Sequence, residues 1–289
     1  MAIPRIAAYP MPASLPANKV SWPLQPGRAL LLVHDMQDYF LDFYDNTQAP
    51  IPSLLANAGQ LIDAARAEGV PVVYTAQLPE QTAAERGLLQ DMWGPGLTAR
   101  PERKDIVAAL APQTGDRVLD KWRYSAFQRS PLLEMMRNEG RDQLIICGVY
   151  AHIGCMMTAC EAFMNEIQPF FAADALADFS QAEHEMALRY VAQRCGMVLD
   201  TASLLGQLAP LPATPEALRT LVARLLGVNA TELDPQDNLL DWGLDSIRIM
   251  SLLERFRRAG CELSFTTLAE QATLAAWWAL LQAPTRQAA

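Results

Sequence analysis

Between Arg28 and about Leu205 the chain alternates short apolar runs with longer stretches whose apolar positions recur at helical spacing. Ala29-Leu-Leu-Leu-Val33 reads as a strand buried on both faces, and Pro71–Thr75 as the next. Arg117–Asp120, Gln143–Val149, Pro169–Ala173 and Met197–Thr201 continue the series. Between them, Ser53–Glu68 is predicted as a helix with Ser53 as N-cap and Gly69 as its stop. Pro131–Glu139 and Ser180–Gln193 are amphipathic in the same way. Near-continuous apolar strands separated by helices predict an α/β fold, a doubly wound parallel sheet covered on both faces. Ligands of such sheets sit beyond the carboxyl ends of the strands.

The pattern changes at Leu208–Pro215, where three prolines fall in eight residues and no helix can continue. Beyond it only helices are predicted: Pro215–Leu226, Ser246–Ala259, Phe265–Glu270 and Leu274–Leu281. The expected organisation is therefore a sheet domain over residues 1–207, a linker over 208–214 and a small four-helix domain over 215–284.

Composition narrows the possibilities. Half the chain (51%) is hydrophobic, enough for packed cores rather than disorder. A formal charge of −9, with no Lys/Arg run, disfavours a nucleic-acid partner, and Arg257–Arg258 reads as a solvated helix end. No apolar stretch approaches the roughly 18 residues of a membrane span, and the N-terminus does not read as a secretory signal. Cys147, Cys155, Cys160, Cys195 and Cys261 lack paired spacing, which suits a reducing, cytoplasmic setting better than disulfides or a zinc site.

Candidate chemistry gathers at the strand ends. Asp35 follows the first strand, Gln77 the second, Lys121 the third, and the turn Gly148–Gly154 the fourth. Each has a plain structural alternative: a helix cap, a loop hydrogen bonder, a lysine lying along the surface. Their common placement makes a shared pocket the better reading. His34 is expected to point away from Asp35 by strand alternation, His152 to serve backbone groups in its turn, and His184 to lie on a helix surface.

In the helical part, Asn238-Leu-Leu-Asp-Trp-Gly-Leu-Asp-Ser-Ile-Arg-Ile-Met250 leads through a glycine turn into a helix starting at Ser246. A hydroxyl there can simply cap the first turn. The segment nevertheless resembles the attachment site of acyl and aryl carrier domains. That resemblance implies 4′-phosphopantetheine on Ser246, with Asp245 helping a phosphopantetheinyl transferase and its Mg2+ engage the site. It implies no other metal. Ile247, Ile249 and Met250 are divided between core and a docking patch.

The first domain resembles the isochorismatase-like hydrolases through His34-Asp-Met-Gln-Asp-Tyr-Phe40, Asp91-Met-Trp-Gly-Pro-Gly-Leu97, Lys121-Trp-Arg-Tyr-Ser-Ala-Phe127 and Gly148-Val-Tyr-Ala-His-Ile-Gly-Cys155. Joined to a carrier domain, the chain is similar to bifunctional isochorismatases of catecholate siderophore pathways. The family contains thiol amidohydrolases, whose nucleophile position falls on Gly154 in this chain rather than on Cys155. The resemblance implies that Asp35 protonates the vinyl ether of isochorismate, giving pyruvate and 2,3-dihydro-2,3-dihydroxybenzoate. Lys121 would contact a carboxylate or a developing oxygen, and Gly154 would leave space for substrate. Gln77, Arg86 and Tyr150 would bind substrate, with Arg86 in the long Pro79–Arg100 connection as a lid over the pocket. Phe40, Trp93, Trp122 and Tyr124 would form apolar walls.

An acid in that role must hold a proton when substrate arrives. A dry setting favours that form and a neighbouring lysine opposes it. The resemblance further implies a non-proline cis peptide near Tyr150–His152 and a homodimer. It also implies loading of 2,3-dihydroxybenzoate by an aryl-adenylating ligase and delivery to a nonribosomal peptide synthetase. Two alternatives stay open: a thiol amidohydrolase using Cys155, and an inactive scaffold that presents the carrier.

Overall fold

A computed structural model describes residues 3–209, 211–258, 261 and 263–282. Two compact units divide between Leu208 and Ala209. In the first, chain order runs β1 (Ala29–His34), α1 (Asp38–Leu41), α2 (Ile51–Ala67), β2 (Val72–Gln77), α3 (Ala83–Arg86), α4 (Leu88–Trp93), β3 (Arg117–Lys121), α5 (Leu132–Asn138), β4 (Gln143–Val149), α6 (Met156–Met164), β5 (Gln168–Ala177), α7 (Gln181–Arg194), β6 (Met197–Leu199) and α8 (Thr201–Leu208). The strands form one sheet in the order β3-β2-β1-β4-β5-β6, with every pairing parallel. This is the predicted doubly wound sheet.

Strand alternation sorts the core into two layers. Leu31, Val33, Val72, Tyr74 and Ile145 face one cluster with Leu54 and Leu61 of α2 and Leu204 of α8. Leu30, Leu32, Val73, Leu144 and Ile146 face the other, with Leu132 of α5, Ala159 of α6 and Leu188 of α7. Both faces of β1 are thus covered, which is why its run is apolar without interruption.

Several local expectations change. The first long helix begins at Ile51, with Pro50 in the N-cap position, so Ser53 lies within its first turn rather than capping it. A proline in the first turn loses no helical hydrogen bond, which lets Pro52 extend the helix upstream. β5 runs to Ala177, four residues beyond the expected end. His184 is fully buried, with Nε2 3.0 Å from the Ala173 carbonyl and Nδ1 3.3 Å from the Tyr9 hydroxyl. It belongs to the buried stripe of α7 that continues through Ala187, Leu188 and Val191.

The second unit contains α9 (Pro215–Leu226), α10 (Ser246–Arg258), α11 (Phe265–Glu270) and α12 (Leu274–Gln282). The Thr214 side chain caps α9, and Gly227 ends it at φ 74°. Leu218, Val222, Leu239, Leu252, Phe256, Leu268 and Trp277 form its core. The predicted helix end at Ala259 and domain limit at residue 284 lie outside the described residues. Trp277 is the largest fully buried side chain, and its indole N–H donates to the Leu268 carbonyl at 3.0 Å. Trp277→Ala is expected to destabilise this unit by about 3–5 kcal/mol, enough to unfold a domain of its size. Loss of its dispersed NMR signals, with the sheet unit unchanged, checks this.

Candidate active site

Four strand ends converge on one cleft of about 580 Å³, solvent at its mouth included. Asp35 leaves β1 with φ 51°, in the left-handed region, which swings its side chain out of the strand's alternation. Its carboxylate is buried among three neighbours. The Thr75 hydroxyl donates to Oδ1 at 2.6 Å, Lys121 Nζ donates to Oδ2 at 3.3 Å, and His34 Nδ1 stands 3.7 Å from Oδ2. Lys121 closes β3 and is itself buried. Gln77 closes β2 and lines the cleft, and Gln37 holds its backbone on both sides, at 2.7 and 3.0 Å.

Arg86 is 4% exposed, buried in the cleft wall rather than solvated as a helix-end arginine commonly is. A capping box of Thr82 and Glu85 starts α3 and sets the arginine at its end. Nε donates to the Gly94 carbonyl at 2.9 Å and Nη1 to Gln81 Oε1 at 3.2 Å. Burial disfavours its charge, and Tyr39 acts weakly the other way. Among the described residues no carboxylate pairs with it. A buried guanidinium in a pocket wall, held by neutral acceptors, is suited to an incoming anion.

Phe40, Trp93, Tyr124, Tyr150 and Gly154 line the cleft with these groups. Trp122 does not; its ring lies under the Arg129 guanidinium at 4.4 Å. Tyr150 contributes its ring but not its hydroxyl, which donates to the Phe40 carbonyl at 2.8 Å. The expected substrate donor is therefore already engaged. Trp93 Nε1 donates to the Tyr124 hydroxyl at 2.8 Å, tying the end of α4 to the segment after β3.

Several lining residues escaped sequence reasoning, among them Phe179, Arg123 and Tyr39. Phe179 packs against Tyr150, Trp93 and His152, with the Tyr150 ring centroid at 4.6 Å. It follows β5, which ends later than its apolar run predicts. Arg123 brings a third cation to the cleft, anchored on the Glu85 and Trp122 carbonyls. Tyr39 lines it from α1. Position in the Lys121–Phe127 motif was the available signal for Arg123.

The histidines depart from expectation. His34 does not point away from Asp35; the left-handed turn at Asp35 brings the carboxylate back beside it. His152 engages a side chain, with Nδ1 2.5 Å from Asp178 Oδ1, while its backbone N–H donates to Oδ2 at 2.6 Å. The only non-proline cis peptide among the described residues lies between Val149 and Tyr150. Gly154 does not simply leave space for substrate, because an added Cβ would fall 2.2 Å from His34 Cε1. Cys155 is fully buried, outside the cleft lining, and burial raises its thiol well above the usual range, so it is no thiolate nucleophile.

On α10, the Asp245 carboxylate accepts the Arg248 N–H at 2.8 Å and so takes the capping role. Ser246 is exposed, and among the described residues no hydrogen bond engages its hydroxyl. Ile249 is core, whereas Ile247 and Met250 are 81% and 57% exposed.

Comparison with known proteins places both units. An isochorismatase domain model matches residues 29–203, and a phosphopantetheine attachment site model matches residues 216–281. The chain belongs to the isochorismatase-domain family. More particularly, it is of the kind that joins an isochorismatase hydrolase to a phosphopantetheine carrier domain. It is 51% identical over 283 residues to enterobactin synthase component B of Escherichia coli, covering 97% of this chain and 98% of that one. It is 49% identical to an isochorismatase of Bacillus subtilis, over 99% and 97% of the two chains. A cysteine hydrolase of Pseudomonas syringae superposes with a TM-score of 0.61 at 25% identity, covering 68% of this chain and 98% of that one.

Burial lowers the His34 imidazole from its ordinary value to about 4, with Lys121 acting in the same sense and Asp35 against it. An unfolded histidine takes up its proton near pH 6.5, while the folded one waits until about 4. Folding stability is therefore lost as pH falls through that window and is level above it. Between pH 7 and 4.5 the hydrolase unit should lose roughly 2–3 kcal/mol more in the wild type than in His34→Asn. Urea titrations at both pH values check the difference.

Proposed function

We propose that the cleft hydrolyses isochorismate to pyruvate and 2,3-dihydro-2,3-dihydroxybenzoate by acid catalysis at Asp35, without a covalent intermediate. The observation that carries this is the buried Asp35–Lys121 pair in a cleft lined, among the described residues, by no cysteine, serine or threonine. Arg86, Lys121 and Arg123 supply three cations against one acid, which suits a dicarboxylate even in a protein of net charge −9. Gln77 adds a neutral donor and acceptor.

Oδ1 of Asp35 already accepts from Thr75, so Oδ2 is the proton-bearing oxygen. A substrate carboxylate draws Lys121 off Oδ2 and frees that oxygen to act as the acid. The proton passes to the terminal methylene carbon, leaving an oxocarbenium ion and a carboxylate. Water adds to that cation and returns a proton to Asp35. The hemiketal collapses, its hydroxyl proton going to the departing ring oxygen, and pyruvate leaves. Phe40, Trp93, Tyr124, Tyr150 and Phe179 limit bulk water around the cation.

In the second unit we assign the attachment of phosphopantetheine to Ser246. Asp245 supplies the cap and so leaves the serine hydroxyl exposed on a rigid helix start. The bound group supplies a thiol on a long arm for carrying an acyl or aryl thioester. Similarity to an enterobactin synthase component supports 2,3-dihydroxybenzoate as the cargo. It likewise supports an adenylating ligase, a phosphopantetheinyl transferase and a nonribosomal peptide synthetase as partners. The exposed Leu240, Ile247 and Met250 offer the docking patch.

Pyruvate release tests the first assignment. Asp35→Asn should lose roughly a hundred- to ten-thousand-fold in kcat, while Cys155→Ala stays near wild type. A folded Cys155→Ala protein without activity would restore a thiol mechanism, and a wild type that releases no pyruvate would leave a scaffold or a hydrolase of another substrate. Ser246→Ala should abolish the intact-mass increase that coenzyme A and a transferase produce in the wild type.

A further inference from the structure

We propose that His34 is a positioning residue of this active site, and that residue 154 is glycine in order to admit its ring. The inference rests on the isochorismatase reading and goes beyond it. His34 ends β1 on the same face as Leu30 and Leu32, the layer covered by α6. Gly154 lies in the turn of π-helical backbone just before α6. Strand and helix start therefore meet at these two residues. An added Cβ at 154 would stand 2.2 Å from Cε1, 2.8 Å from Nε2 and 3.2 Å from Nδ1 of the imidazole. A ring that is fully buried and pinned cannot swing aside for it.

The pin is a hydrogen bond. Nδ1 lies 2.8 Å from the Val149 carbonyl, which only accepts, so Nδ1 carries the hydrogen. Nε2 is buried and makes no hydrogen bond among the described residues, although the Tyr124 backbone also bears on the ring. An orphaned buried nitrogen is unfavourable, and an aliphatic side chain would fill the same volume without it. The histidine is explained by what its other nitrogen does. One neutral imidazole touches three parts of the cleft wall: the Val149 carbonyl, the Gly154 backbone and the Asp35 carboxylate at 3.7 Å. It sets the distance between the acid and the turn that faces it. Displacing a reacting group by about 1 Å is worth roughly a hundredfold in rate. Arg86 and Gln77 are placed by other segments, so substrate binding is insulated from this contact.

Two experiments on the full-length protein test the proposal. In the first, kcat and KM for pyruvate release are measured for His34→Leu, which fills the space without a donor, and for His34→Asn, whose amide keeps a donor near Val149. The leucine variant should lose roughly ten- to a hundredfold in kcat with KM within about threefold of wild type. The asparagine variant should recover most of that loss. Equal kcat in the leucine variant and wild type, a loss carried by KM, or no recovery with asparagine would each overturn the positioning role.

In the second, Gly154→Ala should lower the melting temperature by roughly 4–8 °C in the wild-type background and by less than about 2 °C beside His34→Ala. Equal shifts in both backgrounds would overturn the steric pairing. This readout needs no substrate. A wild type that releases no pyruvate would therefore defeat the functional reading while the pairing of His34 with Gly154 is still judged by melting.

Discussion

The site depends on how closely β1 and β4 run together at the point where the sheet's winding reverses. A Cβ on Gly148 would fall 2.2 Å from the His34 carbonyl oxygen, and φ 114° at Gly148 is one that side chains rarely allow. Only glycine permits that approach. Beyond it β1 turns left-handed at Asp35, and β4 ends at Val149 and passes into the turn that carries Tyr150 and Gly154. The crevice beyond the strand ends at this reversal is where doubly wound sheets bind ligands. In this protein it also brings an acid, a lysine and a pinned imidazole within one contact shell.

Charge and dryness then decide what the crevice can do. Asp35 and Lys121 are nearly removed from water, and Arg86 is buried against neutral acceptors rather than an acid. Such a guanidinium is a standing electrostatic deficit that an anionic substrate relieves. The one cysteine in the neighbouring turn, Cys155, is sealed in the core as a protonated thiol. An acid beside a lysine, with no thiol in the lining, fits cleavage of an acid-labile vinyl ether better than attack on an amide. The carrier unit solves a different problem with equally local means, since Asp245 caps its helix and Ser246 remains exposed.

The doubly wound sheet was legible because parallel strands buried on both faces leave an apolar run, and β4 was read with its observed limits. Asp35, Gln77 and Lys121 were legible for the same reason, each closing or following a strand. What escaped depends on geometry that periodicity does not carry. Alternation placed His34 away from Asp35, but a single left-handed residue cancels alternation. Phe179 was hidden because β5 continues through a register shift against β4 and ends later than its apolar core suggests. Tyr150 was expected to meet substrate through its hydroxyl, and no sequence pattern announces that the Phe40 carbonyl, 110 residues away, already accepts it. Trp122 sits between lining residues, yet its ring takes the far side of the chain beside Arg129.

The most direct test of acid catalysis at Asp35 is to run the cleavage in water enriched in heavy oxygen and weigh both products promptly. Protonation at the methylene carbon followed by water attack on the pyruvyl carbon places the label in pyruvate alone, and the ring diol keeps its original oxygens. Label in the ring diol would mean that water attacks the ring carbon instead, which contradicts the hemiketal route.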